Sequence, residues 1–308
     1  MARTPPAGPG GLIVVDKPAG MTSHDVVGRI RRLAGTRRVG HAGTLDPMAT
    51  GVLVVGVERA TKLLAHLVLT DKSYSATIRL GQRTSTDDAE GDVVEEPVQS
   101  DTRAAGLSRA QVLAGMATLT GAIEQRPAAV SAIKIDGRRA YERVRAGEDV
   151  QLAARPVTVA RFELLGEPRP VQEWLDLDVE VDCSSGTYVR ALARDLGEGL
   201  GVGGHLIRLR RTRVGPFRIE QARTLEQLGE LAEQGSAVTL PLPAAIAAAM
   251  PIRKLTAQEA RELSFGRAIG TAGLPGTYGG IGPEGQAIAL LSETAGQARP
   301  VLGFTPAG

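Results

Sequence analysis

The sequence predicts a mixed fold of half-covered antiparallel strands and amphipathic helices, and three stretches carry that expectation. Residues 73–80 alternate, with Tyr74, Ala76, Ile78 and Leu80 on one face and Ser73, Ser75, Thr77 and Arg79 on the other, the period of a strand covered on one side. Residues 174–183 do the same. Leu175, Leu177, Val179, Val181 and Cys183 point one way and Asp176, Asp178, Glu180 and Asp182 the other, as in a half-exposed antiparallel strand. A helical period stands against these. Thr22-x-x-Asp25 reads as a capping box, after which Val26, Val27, Ile30, Leu33 and Ala34 share one face and arginines hold the opposite one.

The remaining elements follow in chain order. Residues 1–10 are a Pro/Gly-rich tail expected to be disordered, and residues 12–16 read as a buried strand broken by Lys17-Pro18 and Gly20. Residues 52–57 read as a second strand and 61–69 as a buried helix with His66 in its core or rim. The acidic run Asp87-Asp88-Ala-Glu90-Gly-Asp92 lacks the ligand positions of a calcium loop and reads as a solvated turn. Ser108-x-x-Gln111 caps a helix carrying Val112, Leu113, Met116 and Leu119. From about 125 to 147 the character changes to an extended Pro-containing run, an Asp136-Gly137 turn and a short basic helix through Arg138, Arg139, Arg143 and Arg145, together a projecting insertion. Thr187 can cap a helix over 188–196, and residues 205–217 return as a basic strand. A boundary near 248 separates a large domain, 11–247, from a small glycine-rich one, 248–308.

Composition narrows the class. One cysteine, Cys183, excludes an internal disulfide framework, and His24, His41, His66 and His205 have no ligand spacing, so a reducing compartment without structural metal is expected. No segment approaches the ~18 apolar residues of a membrane span, and a cytoplasmic protein is expected. Net charge is only +2, yet lysine stands at just positions 17, 62, 72, 134 and 254, leaving arginine as the main cation. Two blocks contain no acid: Arg29, Arg31, Arg32, Arg37 and Arg38 between Asp25 and Asp46, and Arg208, Arg210, Arg211, Arg213 and Arg218 between Glu198 and Glu220. Together they suggest a polyanion surface.

The stretch VGHAGTLDPMATG, residues 39–51, lies between the basic helix and the strand at 52–57. Its Asp46-Pro47 is what a helix or turn start looks like. It also suits a carboxylate held by glycine-permitted backbone to act on a bound anion. His41 is either satisfied by backbone in a turn or part of such a site. Cys183 shares the apolar face of its strand and reads as core, and a hydrolase built on it or on Ser184-Ser185 would need a nucleophile elbow or paired histidine.

GHAGTLDPMATGVL, with VVDKPAGMTS, KSYSATIRLGQRTSTDDAEG, CSSGTYVRALARDLGEGL and LRRTRVGPF, closely resembles the bacterial tRNA pseudouridine-55 synthases, the TruB family, in colinear order over residues 11–217. The resemblance implies an α+β catalytic domain on a mixed, largely antiparallel sheet flanked by helices, with RNA held across it. It implies isomerisation of one uridine in the T-loop of tRNA: the N1–C1′ bond breaks, the ring turns, and C5 bonds to C1′, with no cofactor and no metal. Asp46 then matches the catalytic aspartate and Arg190 the arginine paired with it. Tyr74 matches the tyrosine that stacks on the target base and can remove the C5 proton, and Tyr188 a second aromatic beside the arginine. His41 matches a histidine implicated in opening the T-loop, as base flipping requires. Lys17, Arg210 and Arg211 are expected at the substrate. Lys134 lies in the insertion, which resembles the family's RNA-gripping thumb but has Pro127-Ala128 and Val130 where Pro-Pro and a tyrosine are common. Residues 248–308 would be a reduced PUA-like RNA-binding module. The expected partner is the T-stem-loop of tRNA, bound by a monomer without membrane or obligate protein partner. A tRNA-binding folding factor, with chemistry secondary, is the alternative.

Overall fold

The computed structural model describes residues 10–94, 104–127, 134–135, 138–139 and 153–304. The chain divides into two units, Met1–Asp46 with Gly51–Val68 and Val214–Gly308, and Pro47–Thr50 with Leu69–Arg213.

In the first unit the strand Gly10–Lys17 pairs antiparallel with Thr50–Glu58, Val14 opposite Val54 and Lys17 opposite Gly51. Val39–Ala42 pairs with the other edge of Thr50–Glu58, setting His41 opposite Val55. Leu12, Ile13, Val15 and Val52 through Val55 are all fully buried, so both faces of these strands are covered and their apolar runs are continuous rather than alternating. The capping box of Thr22 and Asp25 opens the helix Ser23–Leu33, which buries Val26, Val27 and Ile30. Leu33 and Ala34 are half-buried, and the arginines are exposed. The helix expected over 61–69 is instead a 3₁₀ turn, Arg59–Leu63, running into Leu64–Val68. Leu63, Leu64 and Leu67 are buried, His66 sits half-buried at the rim, and Leu69 is exposed.

The region beyond 248 forms a five-stranded sheet, in which Ile252–Lys254 runs parallel to Thr277–Ile281, and Ala287–Thr294, Gln297–Gly303 and Ile269–Gly270 continue antiparallel. Leu255, Leu263, Tyr278, Leu291 and Ala298 make its own core. Ala287, Leu290 and Phe304 nevertheless share a second core with Leu12, Val14 and Ile246. Sequence character changes near 248, and apolar packing continues across it.

In the second unit the strand order is Gly204–Val214, Lys72–Leu80, Trp174–Cys183, Arg155–Leu164, Gly121–Gln125. Trp174–Cys183 pairs antiparallel with Lys72–Leu80, Val181 opposite Tyr74 and Cys183 opposite Lys72. Its apolar face is as the alternation requires, with Leu175 through Cys183 at alternate positions no more than 2% exposed. The acids opposite are not simply solvated. Arg79 donates twice to Asp176, at 2.8 and 2.9 Å, Thr77 donates to Asp178 at 2.6 Å, and Arg161 pairs with Glu180 at 2.6 Å. The helix Arg109–Thr118 begins with the Ser108/Gln111 capping box and buries Val112 and Met116, but Leu113 faces outward, 37% exposed.

Most of the insertion lies outside the described residues. Where it is described, Lys134–Ile135 and Arg138–Arg139 pair antiparallel. Arg138 and Arg139 are therefore strand where the basic helix was expected to begin, and Asp136-Gly137, Arg143 and Arg145 lie outside the described residues. No helix among the described residues is long and apolar enough to cross a membrane.

The helix Val189–Gly199 shows how closely the second unit packs. After it ends, Val202 and Gly203 both donate to the Gly197 carbonyl at 3.0 Å, and a Cβ on Gly197 would meet backbone atoms of Gly203 and Gly204 at 2.2 Å. Gly229, inside the helix Leu225–Glu233, would meet nothing within 4 Å. Gly197→Ala is expected to destabilise by about 3 kcal/mol, because backbone rather than a flexible side chain would have to move. Gly229→Ala is expected to stabilise by about 0.5–1 kcal/mol through the restricted unfolded chain. Urea unfolding of both variants checks the pair, and equal effects would refute the packing argument.

Candidate active site

The loop holding Asp46 follows the strand Val39–Ala42. Gly43 takes a left-handed conformation, φ 76°, which turns the chain at little cost because glycine has no Cβ. No helix begins at Asp46-Pro47; residues 43–49 are bends and irregular backbone. The Ser23 hydroxyl, at the start of the helix Ser23–Leu33, accepts from Leu45 N at 2.9 Å and lies 3.2 Å from Leu45 O as donor. Leu45 is 4% exposed, so the residue before Asp46 is fixed by a buried apolar side chain and by two bonds to one hydroxyl. Asp46 itself is half-exposed.

Three further features lie in the first unit. The rings of His24 and His41 meet edge to face, centroids 5.6 Å apart at 84°. Spacing along the sequence did not suggest this pairing, since 17 positions separate two residues on a helix and an edge strand. Arg29, Arg31, Arg32, Arg37 and Arg38 are all exposed, and Arg38 reaches Glu58 only at 3.7 Å. Lys17, expected at the substrate, has no exposed surface and donates from Nζ to the carbonyls of Pro18 and Met21 at 2.8 and 2.6 Å. Its place is that of a cation holding the turn after the first strand.

In the second unit Tyr74 lies on the covered face of Lys72–Leu80, 7% exposed. Arg190 stands in the first turn of Val189–Gly199 and is buried at 4% exposure, not spread over a helix surface. Its Nη1 donates to Thr86 O at 2.7 Å and lies 3.6 Å from Asp88 Oδ2. Asp88 is 3% exposed and also accepts from Glu90 N at 3.0 Å. Asp87 Oδ2 meets Arg194 Nη1 at 3.1 Å. Burial raises the Asp87 carboxyl above its ordinary range while Arg194 and Arg190 oppose the shift. Asp87 and Asp88 are therefore tied to the helix rather than solvated, because a buried guanidinium requires an anion and carbonyls around it, whereas Glu90 and Asp92 of the same run are exposed as expected. The helix is not capped by Thr187 either. Tyr188 occupies the N-cap position without a side-chain cap, and the buried Gln125 side chain bonds its backbone instead, accepting from Tyr188 N at 2.8 Å and donating to Tyr188 O at 3.1 Å.

Three family models match the chain between residues 31 and 305. Residues 31–189 match the TruB family pseudouridylate synthase N-terminal domain, 190–246 the tRNA pseudouridylate synthase B C-terminal domain, and 250–305 the tRNA pseudouridine synthase II C-terminal domain. A protein of Arthrobacter sp. (strain FB24), named tRNA pseudouridine synthase B, is 56% identical over 306 residues, covering 96% of this chain and 97% of that one. The chain belongs to the TruB family of pseudouridylate synthases. A protein of the same name from Nocardia farcinica (strain IFM 10152) is 58% identical over 97% of this chain and 94% of its own. A crystal structure of a Cbf5-Nop10-Gar1 complex is similar with a TM-score of 0.71 at 26% identity, over 96% of this chain and 85% of that one. The α+β, largely antiparallel fold expected from the resemblance is the fold observed.

The second arginine block departs from a bare polyanion surface. Arg208 bonds the Thr77 hydroxyl at 3.2 Å and lies 3.7 Å from Asp178, and Arg213 bonds Ser73 at 2.9 Å and lies 3.8 Å from Asp182. Arg210 is half-buried, 3.4 Å from the Thr50 hydroxyl. Arg211, also expected at the substrate, is 1% exposed. The Lys134 side chain lies outside the described residues. Among the described residues no three His, Cys, Asp or Glu side chains group as metal ligands.

Arg211 has an electrostatic consequence for the strand that carries Tyr74. Burial first, and Arg211 second, push the Lys72 ammonium down to about 8, and burial pushes the nearby Cys183 thiol up to about 11. Such a thiol is inert near neutrality, which removes the cysteine-nucleophile reading. An unfolded lysine titrates near 10.5, so between about 8 and 10.5 the unfolded chain holds a proton that the folded one does not. Stability from this group therefore rises with pH through that window and is flat below it, by at most about 3 kcal/mol. Lys72→Met is expected to abolish the rise in denaturant titrations at pH about 7.5 to 10. An unchanged rise would assign it to another group.

Proposed function

We propose that the chain is a tRNA pseudouridine synthase that converts uridine 55 of the T-loop to pseudouridine, with Asp46 as nucleophile. The observation carrying this reading is family membership over almost the whole chain, joined to an Asp46 held in a helix-free loop by the Ser23–Leu45 bonds. The Asp46 carboxylate attacks the uridine or its ribose, the N1–C1′ bond breaks, the ring turns, C5 bonds to C1′, and the bond to Asp46 breaks to return the free carboxylate. Tyr74 stacks on the base and takes the C5 proton, and a proton is returned to N1, so the isomerisation balances without a co-reactant. Arg190 favours the ionised nucleophile, and Tyr188 offers a second stacking surface. A base in a folded T-loop must leave its stack before reaction. His41, with His24 against it, is assigned to that opening. The exposed arginines of the first block neutralise backbone phosphates.

The tRNA-folding alternative uses the same arginines and histidines without needing Asp46. Tritium release from tRNA labelled at C5 of uridine separates the two. Wild type is expected to release label only from tRNA that contains the T-loop uridine. Asp46→Asn is expected to lower release by more than about 10³-fold while tRNA affinity stays within about threefold. No release by a folded, tRNA-binding wild type would remove the catalytic assignment for this substrate.

Charge supplies an independent expectation. Each phosphate contact contributes roughly one to the salt dependence of binding. Replacing Arg31 and Arg32 together by glutamine is expected to weaken tRNA binding and lower the slope of log Kd against log salt by about one to two. An unchanged slope would place the phosphate contacts elsewhere.

A further inference from the structure

We infer that Gln125 is a positioning residue for Tyr188 and Arg190, acting through the peptide that starts their helix; the inference rests on the proposed role of those two residues at the uridine. Gln125 ends the strand Gly121–Gln125 and is 1% exposed. Its side-chain amide meets the backbone of Tyr188 at both ends, N–H to Oε1 at 2.8 Å and Nε2 to carbonyl at 3.1 Å. This two-point pairing imitates one step of a strand ladder and fixes both the place and the rotation of the Tyr188 peptide. A helix start needs such a partner, because its first N–H groups have none within the helix. Here the usual small polar cap is replaced by an aromatic residue with no side-chain cap bond. The position that presents Tyr188 thus depends on a side chain 63 residues earlier.

The arrangement extends one turn along the helix. Leu192 N donates to the same Tyr188 carbonyl at 3.2 Å, closing the first helical turn around Arg190. Arg194, four residues after Arg190, donates from Nη2 to the carbonyl of Arg126 at 2.7 Å. Its Nη1 lies 3.1 Å from Asp87, whose neighbour Asp88 is 3.6 Å from Arg190. Gln125 and Arg126 therefore grip the helix at two points that bracket Arg190. Removing the Gln125 amide frees the N-cap while leaving the Arg194 tie, so it should turn the first helical turn rather than unfold the helix. A shift of about 1 Å in a group next to the reacting atoms costs on the order of 10²-fold in rate. Affinity for a large polyanion, spread over many contacts, should hardly change.

The test compares Gln125→Met and Gln125→Glu with wild type in single-turnover tritium release, tRNA binding and thermal unfolding. Gln125→Met keeps the length and loses both bonds. It is expected to slow the single-turnover step by about 30- to 100-fold, with Kd for the tRNA transcript within about threefold. Gln125→Glu keeps the acceptor and loses the donor until its carboxyl is protonated. Burial raises such a carboxyl, so the ratio of variant to wild-type rate is expected to rise as pH falls from about 8 to 6. That recovery is a readout that a merely structural glutamine would not produce, and it decides the matter if Gln125→Met does not fold. A Gln125→Met enzyme with wild-type single-turnover rate, a loss confined to Kd, or a pH-independent Gln125→Glu ratio overturns the inference. Asp46→Asn run alongside separates the two readings. A dead Asp46→Asn beside a normal Gln125→Met overturns the positioning role alone, whereas an active Asp46→Asn overturns both.

Discussion

The second unit is arranged around a buried arginine. A guanidinium at 4% exposure has lost its water, and it is stable only where carbonyl and carboxylate oxygens replace that water. Arg190 has Thr86 O and Asp88 as partners, and Arg194 has Asp87, Asp195 and Arg126 O. Apart from Asp195, which is on the helix itself, those partners lie on the segment that follows the strand Lys72–Leu80 and just past the end of Gly121–Gln125. The path of two connections is thereby tied to one helix face. Asp87 and Asp195 are both raised by burial and held back by the arginines they meet, as expected when desolvation and attraction act on one group.

How much of this was legible in the sequence depended on whether the pattern was local. Alternation at 73–80 and 174–183 located two strands and their buried faces, because a pleated strand repeats every two residues. The Thr22/Asp25 and Ser108/Gln111 boxes located two helix starts, because a capping box closes within four residues. The Asp87-Asp88 half of the acidic run departs from a solvated turn for the opposite reason. Its partners stand about a hundred positions later, at Arg190 and Arg194, and no local period announces them. The Gln125 bonds to Tyr188 and the His24–His41 contact are the same kind of fact. Each joins residues through the fold rather than along the chain. Asp46 was legible through its motif, whereas the backbone that holds it was not.

The two arginine blocks make the point with equal composition and different outcomes. Along Ser23–Leu33 the helical period gives the apolar residues one face and leaves Arg29, Arg31 and Arg32 outward, while the helix's one acid, Asp25, is engaged in the capping box with Thr22. In Gly204–Val214 the arginines lie on a strand beside Lys72–Leu80, whose next neighbour Trp174–Cys183 carries an acid at every second position. Arg208 and Arg213 find Asp178 and Asp182 there. An acid-free block in sequence is thus not an acid-free surface. Of the two blocks, the first has all five of its arginines exposed, while the second has several tied to acids and hydroxyls of the neighbouring strands.

The Asp46 loop gains its order in a different way. A carboxylate that caps a helix spends its oxygens on backbone N–H groups, and Asp-Pro is a common way to begin one. Here no helix follows, so order has to come from neighbours. Leu45 supplies it by burying its side chain and giving both backbone groups to Ser23 Oγ, while Gly43 takes the turn that a residue with a Cβ would resist. Ser23 is itself the first residue of the helix that carries the exposed arginines. One hydroxyl therefore sets the Asp46 loop in register with the cationic helix face. A change in that helix's start would move the carboxylate and the cationic helix face together.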